Sequence, residues 1–293
     1  MENISEEENQ RILFRLIDAL RFYGGDTRKR CSNGYMGSKS KDSIYGDENA
    51  YRTLNALLFE GNKNEQERIW KEGHTLNPEF IRRVEETVQV YIDIFTLMRI
   101  RKETFDCHVI GRRIDRASSV VYYENGFTQS FFSCSKCGFD PEFSRKNGIV
   151  LIELQLSSNI PFIDYELVLE SNEYTHWDER EILLPPFLNI EIEKIPLTAT
   201  ETRTIRDQNQ KPPLGKYLLK TIKFPDYRKI ILDSQKLLWQ QIIDENESAA
   251  QLLEKMNEKE KEQGYRQYIS WKEKLQKYLK IEFSNIWYGG SER

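Results

Sequence analysis

Two arginines and two serines end predicted strands and have side chains suited to binding. Arg112 and Arg113 follow the strand-forming residues CHVIG, and Ser133 and Ser135 close the segment FTQSFFSCS. The planar arginine fork binds phosphate or diphosphate oxygens bidentately. Serines at positions i and i+2 of a strand face the same side, where they can fix a ligand amide or a neighbouring carboxylate. These residue types predict a site for a phosphate-bearing ligand.

A pair of carboxylates begins a further predicted strand. Glu179 and Glu181, in the segment EREILLPP, stand at i and i+2, so an extended backbone would place both on one face. Two like charges at this spacing repel each other, which raises at least one pKa and costs stability. The pair therefore indicates either an exposed sheet edge or a site that needs two carboxylates.

Each motif taken alone also has an ordinary structural explanation. Arginines cluster at positions 112, 113 and 116, which is typical of a basic surface, and Ser-x-Ser is common in strands. The spacing by itself leaves open whether Arg112 or Arg113 faces a ligand. The order of the three motifs along the chain is far more specific than any one of them.

That order resembles the Arg-Ser-Glu class of mono-ADP-ribosyltransferases, which includes clostridial binary toxins and vertebrate arginine-specific enzymes. The family pattern is an arginine ending the first strand, an aromatic-rich strand ending Ser-Thr-Ser, and Glu-x-Glu before an aliphatic strand. Arg112, FTQSFFSCS and EREILLPP match it in turn. FSRK, ahead of IVLIELQL, resembles the family's nicotinamide-side loop, and YRTLNALL resembles a helix that precedes the first strand. The resemblance covers about residues 47–195.

Two positions depart from the family pattern. Cys134 stands in place of the middle threonine, and its side chain should alternate away from both serines, so the exchange should be tolerated. Gly111 stands where an aromatic residue is frequent. The resemblance favours Arg112 over Arg113, because the family tends to place a small or second polar residue after its arginine.

The resemblance implies that NAD is the substrate and that no metal takes part. Arg112 would bind the diphosphate of NAD, and Arg145 is a second candidate for phosphate binding. Phe143 would stack on the nicotinamide ring. Ser135 would complete the NAD site.

The same resemblance implies which residues carry the chemistry. Ser133 would lie near the nicotinamide ribose and help to position Glu181. Glu181 would accept a hydrogen bond from the ribose 2'-hydroxyl and stabilise the positive charge that develops on the ribose. Glu179 would serve the acceptor, since arginine-specific members carry glutamate there. Tyr174 and Trp177, in the preceding loop, would recognise the acceptor.

The leading hypothesis is transfer of ADP-ribose to a protein arginine. The basic loop 28–41 and the aromatic residues of the acceptor loop permit a second hypothesis, in which an RNA or DNA base is the acceptor. A third is a catalytically inactive module that holds NAD or a partner, and a fourth is a hydrolase that only consumes NAD. The implied biology is an intracellular toxin, compatible with toxin–antitoxin, phage-defence, phage-encoded or secreted-effector systems. An antitoxin or another protein could bind the C-terminal helices.

The composition of the 293 residues excludes several classes of protein. With 39% hydrophobic residues the chain can fill a core, and its net charge of −4 does not favour reading duplex DNA through phosphates. No apolar run approaches the roughly 20 residues that span a bilayer, so no membrane partner is expected. The start shows no secretory signal and four cysteines form no disulfide framework, which predicts a cytoplasmic protein. Cys134 and Cys137 have zinc-knuckle spacing without a second pair, which favours ordinary thiols.

The periodicity of hydrophobic residues predicts an α+β fold. Helical spacing runs through the first hundred residues, for example within 10–22 and from Pro78 to about Thr96. Short β-rich segments without helices between them then favour antiparallel sheets. These segments are 105–114, 127–135, 149–156, 165–169, 181–184, 188–195 and 216–224. By resemblance, they would form two small, mainly antiparallel sheets around an NAD cleft.

Helical spacing returns after Pro225, in what should be an antiparallel hairpin. We therefore expect an ADP-ribosyltransferase domain over 1–225, with a helical part at 1–103 and a β-rich catalytic core at 104–225. Residues 226–293 would form a C-terminal helical extension.

Overall fold

A computed structural model describes ten parts of the chain. They are residues 6–24, 78–101, 110–128, 130–136, 148–157, 160–169, 180–209, 212–223, 244 and 273–287. The chain divides into two compact units, one formed by residues 1–99 with 226–293 and the other by residues 100–225. The expected domain boundary at residue 225 stays a prediction. The predicted helix near residues 47–58, with YRTLNALL, and the first helix of the C-terminal hairpin lie outside the described residues, except for Asp244.

The first unit is built from helices whose apolar stripes pack together. Helix α1 spans Glu6–Gly24 and helix α2 spans Pro78–Arg101, which confirms the two helices predicted there. A further helix runs over residues 273–287. Phe95 of α2 stacks on Phe283 of that helix, with ring centroids 4.2 Å apart. Arg15 of α1 pairs with Asp93 of α2 at 3.3 Å. The helix over residues 273–287 therefore packs against α2 of its own unit.

The second unit is a seven-stranded mixed sheet with the strand order β4-β5-β2-β1-β3-β7-β6. The strands are β1 Ile110–Arg116, β2 Phe132–Ser135, β3 Ile149–Gln155, β4 Ile163–Asp164, β5 Glu181–Leu184, β6 Asn189–Ile195 and β7 Lys216–Lys223. The α+β class and the mainly antiparallel pairing are confirmed. In place of two small sheets, the described strands form one, because β3 and β7 pair in parallel and join the halves.

One predicted strand, 165–169, was wrong. This segment forms a short helix, Tyr165–Val168, after the two-residue strand β4. The cause is local, because the Asp164 side chain accepts a hydrogen bond from the Glu166 backbone N–H at 3.1 Å and so caps the helix. The strand predicted from residue 127 is also shorter: it begins at Phe132, and Phe127 makes only an isolated bridge to Asn189.

A helix over Ala199–Asn209 was not predicted, although its start has a readable signal. Thr198 and Glu201 form a capping box, in which the Glu201 N–H donates to the Thr198 hydroxyl at 3.1 Å. In return, the Thr198 N–H donates to the Glu201 carboxylate at 2.9 Å. The T-x-x-E spacing in LTATE is the sequence signature of this motif. The remaining short helix, Val120–Tyr123, follows a 3₁₀ turn and has no such signal.

The two faces of the sheet differ in chemistry because side chains alternate along each strand. One face carries the main hydrophobic core of this unit, with Phe132, Ile152 and Ile182 among its buried members. The other face carries several polar and charged side chains on β1, β2, β3 and β5. A polar face supported from behind by a packed core can hold functional side chains in fixed positions.

Candidate active site

Strand pairing brings the predicted arginine, serines and glutamate into one row across the sheet. Arg112 is the direct partner of Ser135 across β1 and β2, and Ser135 is the direct partner of Glu181 across β2 and β5. Directly paired residues share a face, with Cβ atoms about 5 Å apart. Ser133 lies on the same face, since it stands two residues before Ser135. The structure therefore assembles Arg112, Ser133, Ser135 and Glu181 on the polar face.

Ser133 and Glu181 are in direct contact. The Ser133 hydroxyl donates a short hydrogen bond to Oε1 of Glu181, and both residues are half-buried. Cys134, between the two serines, points into the core on the opposite face, as strand alternation predicted. The hydroxyl fixes the direction of the carboxylate, while partial exposure leaves the pair accessible to a substrate.

Arg112 faces a charged network on the same side of the sheet. Its Nε lies 3.8 Å from Oε1 of Glu153, and its side chain is 33% exposed. Glu153 also contacts the buried Lys216 at 2.9 Å, and Lys216 contacts Glu201 at 2.6 Å. Burial lowers the pKa of Lys216, but hydrogen bonds to Glu201 and Glu153 outweigh burial and raise it. Lys216 therefore compensates Glu153, so that Arg112 does not neutralise this carboxylate alone.

Arg113 lies on the core face and is bound by the protein itself. Its Nε donates to Oδ1 of Asp115 and its terminal nitrogen donates to the Ser133 carbonyl, both at 2.9 Å. The guanidinium also lies 5.0 Å from the centroid of the Phe132 ring. Burial by itself would lower the pKa of Arg113, but the charge of Asp115 outweighs it and raises the pKa. Asp115 in turn accepts a hydrogen bond from the Tyr123 hydroxyl. Contacts within the protein therefore hold Arg113, whose side chain is 36% exposed against 33% for Arg112. The choice of Arg112 as the ligand-binding arginine stays a prediction.

The two departures from the family pattern lie against each other in the structure. A Cβ atom built on Gly111 would overlap the Sγ atom of Cys134 and approach its Cβ to 3.3 Å. The glycine therefore makes room for the cysteine on the core face. Burial raises the pKa of the Cys134 thiol, with Arg113 opposing this effect, so the thiol stays protonated at neutral pH.

We expect Gly111→Ala to lower the free energy of unfolding by about 1–3 kcal/mol, since overpacking forces side chains or backbone to shift. Combining it with Cys134→Ala should cost less than the sum of the single variants, by at least about 0.5 kcal/mol, because the sulfur that clashes is gone. Denaturant titration of the three variants and the wild type measures this coupling. Strict additivity would show that the contact is not the cause.

Five of the predicted site residues lie outside the described residues. They are Phe143, Arg145, Tyr174, Trp177 and Glu179. Arg180, the residue between the two predicted carboxylates, has a left-handed backbone with φ +47°, and β5 begins at Glu181. The expectation that Glu179 and Glu181 share a face stays a prediction.

The structure adds two groups of charged residues that sequence reasoning missed. Glu153 approaches Arg112 and pairs with Lys216, and a separate network joins Lys136 with Glu166 and Arg180. One signal was available, since Glu153 is a lone charge inside the apolar strand IVLIELQL. The partners of these residues come from distant strands, so their pairing could not be seen in the sequence.

Membrane-spanning helices and metal-binding clusters are both absent from the residues that the structure describes. Among them, no helix is long and apolar enough to cross a membrane. Within the same residues, no group of three or more His, Cys, Asp or Glu side chains could hold a metal ion. Cys137, the second cysteine of the zinc-knuckle spacing, lies outside them.

Comparison with known proteins identifies similar solved structures only. No protein-family model matches the chain, and no curated protein sequence matches it. The catalytic domain of VahC from Aeromonas hydrophila is similar at 12% identity and a TM-score of 0.36, over 71% of this chain and 98% of that one. The SpvB ATR domain of Salmonella is similar at 14% identity and a TM-score of 0.33, over 71% and 98%. The ADP-ribosyltransferase Vis, solved with the M6 inhibitor, is similar at 14% identity and a TM-score of 0.30, over 76% and 88%.

One of these similar structures is that of an ADP-ribosyltransferase. All three TM-scores are below 0.5. These structural similarities therefore carry no conclusion about function.

Proposed function

We propose that this protein is an NAD-dependent mono-ADP-ribosyltransferase. The observation that carries the proposal is the hydrogen bond from Ser133 to Glu181 beside Arg112, on one face of the sheet. A carboxylate held by a hydroxyl can stabilise a developing cation. An arginine on β1, the neighbour of the serine strand β2, can hold a diphosphate. The sequence resemblance assigns these three residue types, in this order, to binding and cleavage of NAD.

In the proposed reaction, the bond between the ribose C1' and the nicotinamide nitrogen breaks. Its electron pair leaves with nicotinamide, which becomes neutral, and positive charge remains on the ribose as in glycoside hydrolysis. Glu181 accepts a hydrogen bond from the ribose 2'-hydroxyl and stabilises this charge in the transition state. Ser133 keeps the carboxylate in the direction required, and Arg112 holds the diphosphate bidentately.

The acceptor that we propose is a protein arginine. A guanidinium nitrogen attacks C1' and loses one proton, which Glu179 accepts. Tyr174 or Trp177 would stack on the guanidinium before transfer. The support for this choice is the glutamate at position 179, since the sequence resemblance associates glutamate there with arginine acceptors. A nucleic-acid base as acceptor is an outcome of the tests below.

We also propose that the protein acts in the cytoplasm, as a toxin, defence or effector protein. Its support is chemical: four cysteines among 293 residues suit a reducing compartment, and the described Cys134 is a buried thiol. Covalent ADP-ribosylation changes the charge and shape of its acceptor and consumes NAD.

The proposed reaction is tested directly with NAD that is labelled in its adenylate part. Incubation with a cell lysate should give labelled macromolecules and free nicotinamide. Protease should release the label if the acceptor is a protein, whereas nuclease should release it if the acceptor is RNA or DNA. Nicotinamide release without labelled macromolecules would indicate a hydrolase, and no reaction with NAD would overturn the proposed function.

Glu179→Gln should separate acceptor choice from bond cleavage. If Glu179 serves a guanidinium, the variant should lose transfer to protein but keep most NAD hydrolysis, because water needs no carboxylate to hold it and Glu181 remains. If the acceptor is a base, glutamine can still hydrogen-bond its edge and transfer should largely survive. If Glu179 is an ordinary surface residue, neither the rate of transfer nor the rate of hydrolysis should change.

Measuring both rates for Glu179→Gln therefore distinguishes these three cases. Glu191→Gln is a matched control, because Glu191 is exposed on β6 of the same sheet. Equal loss of transfer and hydrolysis in Glu179→Gln would contradict an acceptor role and would assign Glu179 to NAD binding.

A further inference from the structure

A charge network on the strand ends joins the chain segments that carry Ser135 and Glu181. Lys136 directly follows Ser135, and its ammonium group lies 2.5 Å from Oδ2 of Asp164 and 2.6 Å from Oε2 of Glu166. The Lys136 side chain is only 17% exposed. The end of β2 is thereby fixed to β4 and to the short helix that Asp164 caps.

Arg180 is bound to this network twice. Its Nε lies 2.9 Å from Oε1 and 3.1 Å from Oε2 of Glu166. Its backbone carbonyl accepts a hydrogen bond from the Lys136 N–H at 3.1 Å. Glu166 therefore holds the side chain of Arg180, and Lys136 holds its main chain, immediately before Glu181.

The backbone of Arg180 is left-handed, with φ +47°. This conformation crowds the Cβ atom of any residue other than glycine, so neighbouring contacts must hold it. The contacts with Glu166 and Lys136 supply that restraint. The turn at Arg180 sets the direction in which the chain enters β5, and so the position of the Glu181 carboxylate.

Within this network, Lys136 and Glu166 keep their charges at neutral pH. Burial lowers the pKa of Lys136, but hydrogen bonds to Asp164 and Glu166 outweigh it and raise that pKa. The hydrogen bond from Lys136 lowers the pKa of Glu166 against the opposing effect of burial, and Arg180 lowers it further. Two cations balance two carboxylates, so the network acts on Glu181 through geometry rather than through net charge.

We propose that Arg180 is a positioning residue for Glu181. Its ion pair with Glu166 and its carbonyl bond to Lys136 hold the left-handed turn that places Glu181 beside the Ser133 hydroxyl. This inference rests on the proposed function, because Glu181 matters for rate only if it stabilises the ribose cation. A displacement of about 1 Å in a catalytic group costs on the order of 100-fold in rate, so the turn should control turnover.

The test compares four variants with a matched control. Arg180→Ala removes the ion pair and keeps the crowded backbone, Arg180→Gly removes both, and Arg180→Lys restores a cation. Glu166→Gln breaks the same pair from the other side. The control is Lys220→Ala, which removes a part-exposed ion pair with Glu193, at 3.1 Å, elsewhere in the same sheet.

Three experiments are done on each variant: steady-state kinetics of NAD hydrolysis for kcat and KM, titration for the Kd of NAD, and amide exchange at Lys136. We expect Arg180→Ala to lower kcat at least tenfold with Kd within twofold of wild type. The Lys136 amide, which donates to the Arg180 carbonyl, should exchange at least tenfold faster. Arg180→Lys should recover most of the rate, and Arg180→Gly should lie between Lys and Ala, because glycine adopts the left-handed turn freely.

Each adverse outcome has its own meaning. An inactive wild type overturns the proposed function, whereas amide exchange at Lys136 still tests the turn in that case. If Arg180→Ala changes neither the amide exchange of Lys136 nor kcat, Arg180 is not a positioning residue. That result is expected of an ordinary surface ion pair, which contributes little to stability. Loss of NAD affinity in proportion to rate would instead assign Arg180 to binding. If Glu166→Gln fails to fold, the three Arg180 variants and the control still show whether Arg180 positions Glu181.

Discussion

Glu181→Gln is expected to abolish both ADP-ribosyl transfer and NAD hydrolysis while NAD still binds. Glutamine has the same shape and its amide oxygen can still accept the Ser133 hydroxyl, so the site keeps its geometry. It carries no negative charge, so the ribose cation loses its stabilisation. A loss of at least about 100-fold in kcat should follow, which corresponds to about 2.7 kcal/mol of transition-state stabilisation.

The measurement is nicotinamide release and acceptor labelling for Glu181→Gln, with NAD affinity measured in parallel by calorimetric titration. Glu191→Gln provides the matched control for loss of one carboxylate on the same sheet. Activity of Glu181→Gln within tenfold of wild type would refute the catalytic assignment. A parallel collapse of NAD affinity would make Glu181 a binding residue.

Arg112→Lys should weaken NAD binding at least tenfold, and more than Arg113→Lys does. Lysine supplies one charge at Arg112 but cannot bind a diphosphate through a planar fork. The stability of this variant should change little, because the contact with Glu153 at 3.8 Å is partly exposed.

Arg113→Lys is expected to affect folding rather than binding. It should lose about 0.5–1.5 kcal/mol of unfolding free energy, because lysine cannot serve both Asp115 and the Ser133 carbonyl from this half-buried position. Calorimetric titration and denaturant unfolding of both variants separate the two effects. The reverse order of NAD affinities would move the binding arginine to position 113.

Much of the site geometry could be predicted because it depends on the two-residue period of strands. That period put Ser133 and Ser135 on one side and Cys134 on the other, and the structure agrees. The choice between Arg112 and Arg113 could not come from the period, since consecutive residues always face opposite sides. The structure adds that Arg113 contacts Asp115 of its own strand and the Ser133 carbonyl of β2, whereas the role of Arg112 stays a prediction.

The errors in the fold have local or long-range physical causes. Residues 165–169 have strand-forming side chains, but the Asp164 cap favours a helix. The helix after Thr198 was overlooked although its capping box is visible in the sequence. The parallel pairing of β3 with β7, which makes one sheet of two, depends on partners that residue patterns do not specify, since a pattern fixes the face of a strand and not its neighbour.

The strand order β5-β2-β1 determines at which step of folding the candidate active site forms. Ser133 and Glu181 are 48 positions apart in the chain, and their strands meet only when β5 has paired with β2. Such non-local pairing is slow, because the loop must close before any contact stabilises it. During synthesis on the ribosome, a chain that ends before β5 therefore has no complete site. The proposed enzymatic activity should therefore return on refolding only once β5 has paired with β2.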